Sequence, residues 1–319
     1  MASQTVNEKA FEYALLRACY KKLEPITGIQ IDENVPYRNA KGHYEGFSAE
    51  EKLLFDNAAK AAIHFLLDPE PRLSLAVDKN DLLKLEIVKD KKGQEGDVRD
   101  VLTIRVKQDW QIGISAKNNH RAVKHSRLSD SIDFGEKWLG HPCSASYFES
   151  VNPIFEMLRQ IKREDSSSLW TDIENMHDVV YMPILQAFRK ELLRLDAENP
   201  AAVAENLVQY LIGTEDFYKV IKSKRKVEIQ AYNIHGTLNQ AFKKIRPKAK
   251  LQSLKLPSRL IEVVFKQNSK TTLLVSMDEG WQISFRIHNA SSRVEPSLKF
   301  DINLVSTPHN LFVHHIFTE

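Results

Sequence analysis

The sequence predicts an α+β protein with an α/β-like core: a mixed sheet built on one β-hairpin, flanked by helices and followed by an antiparallel, β-rich part. Three observations predict it. Between Asp100 and Lys117 two runs, DVLTIRV and WQIGISAK, alternate around a short polar turn, Lys107 to Asp109, the period-2 pattern of paired strands. Apolar residues recur at helical spacing over 6–23, 48–67 and much of 153–222, which marks amphipathic helices. From Ser223 onward short β-branched runs follow one another, separated by Asn268-Ser269 and Asp278-Glu279-Gly280, as in a meander.

In order, Phe11, Ala14, Leu15, Ala18 and Cys19 form the apolar stripe of a first helix that Pro25 ends. Residues 24–47 carry Gly28, Pro36, Gly42 and Gly46 and read mostly as loop. Ser48 and Glu51 form a capping box that opens a helix running to about Leu67; this role accounts for Glu50 and Glu51 without assigning them to a metal. An extended piece, Leu82 to Val88, precedes a polar connection, Asp90 to Gly96, into the hairpin. Helices are expected over Pro153–Arg163, Leu169–Leu195 and Ala201–Lys222, with Trp170, Met176, Met182, Phe188 and Leu192 as core or interface residues. After a strand in SKRKVEIQAYNI comes a Lys/Arg-rich stretch, Lys243 to Arg259, interleaved with Leu251, Leu254 and Leu256. The runs LIEVVFKQ, TTLLVSM and WQISFRIHN then supply the meander. The composition divides the chain at 222/223 into a core with its helical region (1–222) and a basic, β-rich part (223–319), packed separately or as one domain.

The 319 residues suffice for a sizeable core, and 42% hydrophobic with 27% charged content is ordinary for a globular protein. A net charge of +3 is too mild to announce a polyanionic partner globally, so any basic footprint is local. Two cysteines, Cys19 and Cys143, make neither a disulfide framework nor a four-cysteine zinc site. They fit buried thiols in a reducing cytoplasm. The opening, SQTVNEK, is not a signal peptide, and no apolar run is long enough to span a membrane.

The hairpin carries the chemistry. Pairing around the turn brings Asp100 roughly opposite Lys117, with Ser115 on the face of Lys117. An acid beside a lysine suits metal-assisted phosphodiester hydrolysis. Asp100 and the Ala116 backbone carbonyl offer hard oxygen ligands for Mg²⁺, and Lys117 acts on water or phosphate. Glu86 and Asp97 are candidates for a further acidic ligand; an Asp and a Lys flanking a hairpin are also ordinary solvated strand ends. Just beyond, Asn118, Asn119, Lys124, His125 and Arg127 are suited to DNA phosphates and base edges, and His120 either to proton transfer or to positioning a phosphate. A second polar cluster, Arg286, His288, Asn289, Ser291, Ser292, Arg293 and Glu295, supplies the residue types that read G·C pairs in the major groove. His309, His314 and His315 are structural, since the adjacent pair faces opposite ways on a strand.

Asp100 followed by Ser115-Ala116-Lys117 resembles the PD…(D/E)xK nuclease pattern, and with it a mixed sheet flanked by helices. Ser115 departs from it, standing where a second carboxylate is usual. The blocks KNNHRAVKHSRLSDSIDFGEKWLGHPCS (117–144) and GWQISFRIHNASSRVEPSLKFDI (280–302) resemble the corresponding segments of HaeIII-type restriction endonucleases. That resemblance implies a type II enzyme of a restriction-modification system: Mg²⁺-dependent cleavage of double-stranded DNA at a palindrome, GGCC, leaving blunt ends with 5′-phosphates. Asp100 then holds metal and Ser115 contacts a metal-bound water. A palindrome cut on both strands favours a homodimer, at least when bound. Competing readings are a catalytically silent DNA-binding protein that lost its second acid at Ser115, a non-specific or repair nuclease, and a helical adaptor acting through 153–222.

Overall fold

The computed structural model describes residues 3–89, 97–119 and 123–318. It divides into two compact units, each discontinuous in sequence: Met1–Arg121, Thr214–Lys255 and Asn310–Glu319 in the first, Ala122–Gly213 and Leu256–His309 in the second. The mixed α+β class expected from the sequence is what the chain adopts.

The first unit is a seven-stranded mixed sheet under three helices. Helix α1 (Gln4–Leu23), capped by the Ser3 side chain, buries Phe11, Ala14, Leu15 and Ala18. Each large side chain so removed from water contributes about 1.5–3 kcal/mol. Strand β1 (Ile29–Ile31) and helix α2 (Val35–Glu45) occupy the stretch expected to be loop. Asn34 caps α2 and Pro36 sits in its first turn, where a proline starts a helix rather than breaking one. Tyr37, Ala40 and Tyr44 give it a buried face, and that burial outweighs the one glycine inside it, Gly42. Helix α3 (Ala49–Leu66) begins with the expected capping box between Ser48 and Glu51.

Strands β2 (Leu83–Ile87), β3 (Val101–Arg105), β4 (Trp110–Asn118), β6 (Phe217–Lys222), β7 (Lys226–Tyr232) and β12 (Phe312–Phe317) complete the sheet, in the order β1-β2-β3-β4-β6-β7-β12. The pairs β1/β2 and β4/β6 are parallel and the others antiparallel. Residues 217–222, expected to continue a helix, form β6 instead. All six are buried between β4 and β7, and a central strand position overrides local propensity. The 222/223 step in composition falls inside the β6/β7 pair. Leu251 and Leu254 are buried, anchoring the basic 243–259 stretch, which has no regular element beyond a bridge at Phe242/Ile245.

Two buried polar groups pin the first unit's loops. Arg105, 0% exposed, donates to the carbonyls of Asp81 (2.7 Å) and Leu73 (2.9 Å). Glu70, also 0% exposed, accepts at Oε1 from the Tyr218 hydroxyl (2.6 Å) and the Asn239 backbone N–H (2.7 Å), while Oε2 is without a partner. Burial pushes the Glu70 carboxyl up to about 7, against those hydrogen bonds.

The second unit is a five-stranded antiparallel sheet, β5-β11-β10-β9-β8, packed on helices. Its strands are β5 (Lys124–Leu128), β8 (Leu260–Phe265), β9 (Thr272–Met277), β10 (Gln282–His288) and β11 (Leu298–Ser306). The expected meander is β8-β9-β10, and β11 continues it. Helices α4 (Ala145–Glu164), α5 (Met182–Glu198) and α6 (Ala202–Ile212) flank it. Phe188 of α5 meets Phe285 and Phe300 from the sheet at 5.6 and 5.1 Å between ring centroids. Helix α4 starts eight residues before Pro153, so the proline lies within it rather than opening it.

Candidate active site

The site is assembled where β3 begins and β4 runs on past it. The hairpin pairs Arg105 with Trp110 and Val101 with Ile114, joined by a tight turn that Asp109 closes in the left-handed region. This register sets Asp100 opposite Ser115, two residues short of the Lys117 position expected from the sequence. The residues still converge. The Asp100 amide donates to the Ile114 carbonyl (2.9 Å). Where the ladder ends, the Asp100 carboxylate takes the next β4 donor, the Ala116 N–H, at 2.7 Å. Its Oδ2 also accepts from Ser115 Oγ (3.2 Å) and stands 3.7 Å from Lys117 Nζ. Ser115 thus orients the first acid.

A second acid arrives from α1. Glu12 is 3% exposed and paired with Lys9 at 3.2 Å. Burial first, then the charge of Asp100, push its carboxyl up to about 8. The charge of Asp100, reinforced by Glu8 and Glu12, holds the Lys117 ammonium above its ordinary value against burial. The α1 N-terminus is tied to this strand end by Gln4, whose side chain donates to the Asn118 carbonyl at 2.6 Å. Glu12 escaped the sequence reading, yet it left a signal. It sits at helical spacing with Leu16, Cys19 and Leu23, all buried, so an acid interrupts an apolar stripe.

The remaining candidates are dispersed. Glu86 stands in β2 opposite Leu102, bound by Lys84 (2.9 Å), which also bridges Asp32. Asp97 holds the buried Arg99 with bonds of 2.7 and 2.8 Å. Asn118 is turned inward, accepting from Lys222 (3.2 Å), whereas Asn119 is exposed with φ 55°. His120 and the side chain of His125 lie outside the described residues.

In the second unit Lys124 faces inward. Its ammonium donates to the Tyr210 carbonyl (2.8 Å) and lies 3.6 Å from that ring's centroid, and burial lowers it to about 8. Arg127 is exposed and pairs across the ladder with Lys299, which pairs in turn with His288. These three therefore share one face of the sheet. Arg286 lies on that face too, 57% exposed and 3.2 Å from Asp301. Lys299 was not singled out from the sequence; only the register reveals it. Beyond β10, Asn289 donates to the Ser291 carbonyl, Ser291 to the Arg293 carbonyl, and the Ser292 carbonyl accepts from the Trp170 amide. Arg293 bridges Leu169, and Glu295 follows in the same turn.

Two carboxylates and an ammonium at a strand end, on a chain whose other sheet displays a row of cations, belong to a nuclease. The chain is a member of the HaeIII restriction endonuclease family, site-specific deoxyribonucleases of restriction-modification systems. The family model, HaeIII restriction endonuclease, matches residues 8–308. The chain is 40% identical over 304 residues to the type II restriction enzyme HaeIII of Haemophilus aegyptius, covering 95% of this chain and 94% of that enzyme. No solved structure matches. Among the described residues no helix is long and apolar enough to cross a membrane, and both cysteines are free.

Type II restriction enzymes are generally dependent on a divalent metal ion, and the donors here fit one. Among the described residues no group of three or more His, Cys, Asp or Glu could hold a metal. Asp100 and Glu12, however, form an oxygen-only pair. A hard cation bound by two carboxylates completes its shell from water and substrate phosphate. Burial, and then the charge of Asp100, disfavour the ionised form of Glu12, and a bound cation would offset both.

Proposed function

We propose that this chain is a Mg²⁺-dependent type II restriction endonuclease that cuts GGCC to blunt ends through a PD-(D/E)xK-like site. The observation that carries the reading is the Asp100 carboxylate on the Ala116 amide, 3.7 Å from Lys117 and within the field of buried Glu12. Asp100 and Glu12 hold the cation, with the Ala116 carbonyl as a further donor. Glu12, not residue 115, fills the place of the second acid. When bound, Mg²⁺ supplies Lewis acidity and neutralises charge at the scissile phosphate. Ser115 and the Ala116 amide fix the Asp100 rotamer. Lys117, kept charged by its acidic neighbours, donates to the phosphate oxygens as water attacks phosphorus and the 3′ oxygen leaves, so the 5′-phosphate is retained on the product. Glu86 and Asp97, each committed to a local cation, are not needed as ligands. Arg127, Lys299 and Arg286 face phosphates, and the 288–295 turn, with His288, Asn289, Ser291, Ser292, Arg293 and Glu295, reads base edges. Asn118 and Lys124, both turned inward, act as supports within their own units, and Asn119 remains exposed to the substrate. The substrate's twofold symmetry calls for a homodimer on DNA.

The test is digestion of a sequenced plasmid with and without Mg²⁺, beside Asp100→Ala, Lys117→Ala and Glu12→Gln. Discrete fragments ending at GGCC are expected from the wild type, none from Asp100→Ala or Lys117→Ala, and slowed cutting from Glu12→Gln. Undiminished cutting by Lys117→Ala refutes the site, and binding without cutting by the wild type establishes a silent DNA-binding protein.

A further inference from the structure

A cavity of about 770 Å³ opens in the first unit between α1, α3 and β12, and neither Glu12 nor Asp100 lines it. Lys21 on its rim is nine residues past Glu12, roughly 14 Å along the α1 axis at helical rise. The volume is within the range of small-ligand sites, about 300–1,000 Å³.

Its wall combines two chemistries. Ala18, Ile63 and Ile316 give an apolar lining, and Phe65 and His314 also line the cavity as flat rings. Those rings stack with centroids 4.5 Å apart and planes 16° apart. The rim carries Lys21, Lys22 and Lys60, all exposed, and none of them has a carboxylate partner among the described residues. The other charges in the wall are already matched: Arg17 binds Asp56 at 2.7 Å, and Lys248 holds Asp68 at 3.0 Å. The cavity is thus flat and apolar inside and unmatched in positive charge at its mouth.

We propose that this cavity binds a nucleotide, its base against the Phe65–His314 wall and its phosphate among Lys21, Lys22 and Lys60. A planar base gains from an aromatic wall, and a phosphate from ammonium donors that no carboxylate already pairs, the wall's Asp56 and Asp68 being held by Arg17 and Lys248. A fatty acid would leave the flat wall unexplained. A second copy of this chain would bring two sets of these three ammonium groups together, which disfavours self-association here.

The experiment uses the full chain in EDTA without DNA, so its result is independent of the catalytic reading. Fluorescence anisotropy of 1,N⁶-ethenoadenosine 5′-monophosphate reports binding, with AMP, inorganic phosphate and dodecanoate as competitors. Binding displaced by AMP is expected, with affinity at least about tenfold weaker in Lys21→Glu/Lys60→Glu, where two attractive charges become repulsive. Phe65→Leu, which keeps apolar bulk and removes the ring, should weaken it as well. Circular dichroism checks folding of both variants. The proposal is overturned by no anisotropy change up to millimolar probe, by equal affinity in the charge-reversed protein, or by displacement with dodecanoate but not AMP. A dimer in sedimentation that the charge reversal dissociates would overturn it too.

Discussion

Replacing Glu70 with glutamine should change how stability depends on pH. In the native chain burial raises this carboxyl from an ordinary 4.5 to about 7. Between those values the folded chain keeps a proton that the unfolded chain has released. Stability therefore falls as pH rises through that window and levels off above about 7. At about 1.36 kcal/mol per pH unit, the rise from 4.5 to about 7 corresponds to roughly 3 kcal/mol. The substituted amide would be neutral throughout. Its oxygen can still accept from Tyr218 and Asn239, and its NH₂ takes the place of Oε2, which already lacks a partner. Urea unfolding followed by circular dichroism at pH 5, 6, 7 and 8 measures the effect. The variant should be level with or slightly below the wild type at pH 5 and gain about 3 kcal/mol on it by pH 8. Parallel curves across the range would show that the Glu70 proton is not retained on folding, and the reasoning would fail.

Other outcomes follow from the same geometry. Glu12→Gln should lower kcat about 10²-fold and raise the Mg²⁺ concentration for half-maximal cutting, since one of the two carboxylate ligands loses its charge; an unchanged Mg²⁺ titration counts against Glu12 as a ligand. Lys299→Ala and Arg127→Ala should each weaken DNA binding at every sequence and shallow the salt slope by about one, whereas Arg293→Ala should lose discrimination of GGCC; filter binding at several salt concentrations separates the two. Lys124→Met should leave that salt slope unchanged, because its ammonium is spent on Tyr210. Arg105→Ala should cost about 3–5 kcal/mol in urea unfolding by abandoning buried carbonyls.

The hairpin was legible because both strands alternate cleanly, and Asp100 and Lys117 stand at its ends. Its register was not, since one additional residue in the turn moves every pairing and no side chain announces the turn's length. Residues 217–222 misled because FYKVIK is read against the helix before it, while its conformation is set by β4 and β7 on either side. Glu12 was visible as a charge on an apolar stripe, but its partner lies 88 residues onward at a strand end, a separation no local pattern spans. Lys299 joins Arg127 only through the β5/β11 ladder.

The interleaving of the two units constrains how this enzyme can change. The sheet bearing Asp100 and Lys117 needs strands from three separate stretches of chain, and the sheet bearing Arg127 and Arg286 needs two. No single crossover between genes can lift one sheet out intact and graft it elsewhere. New sequence preferences cannot be imported as a cassette; they must be found residue by residue within this interleaved frame.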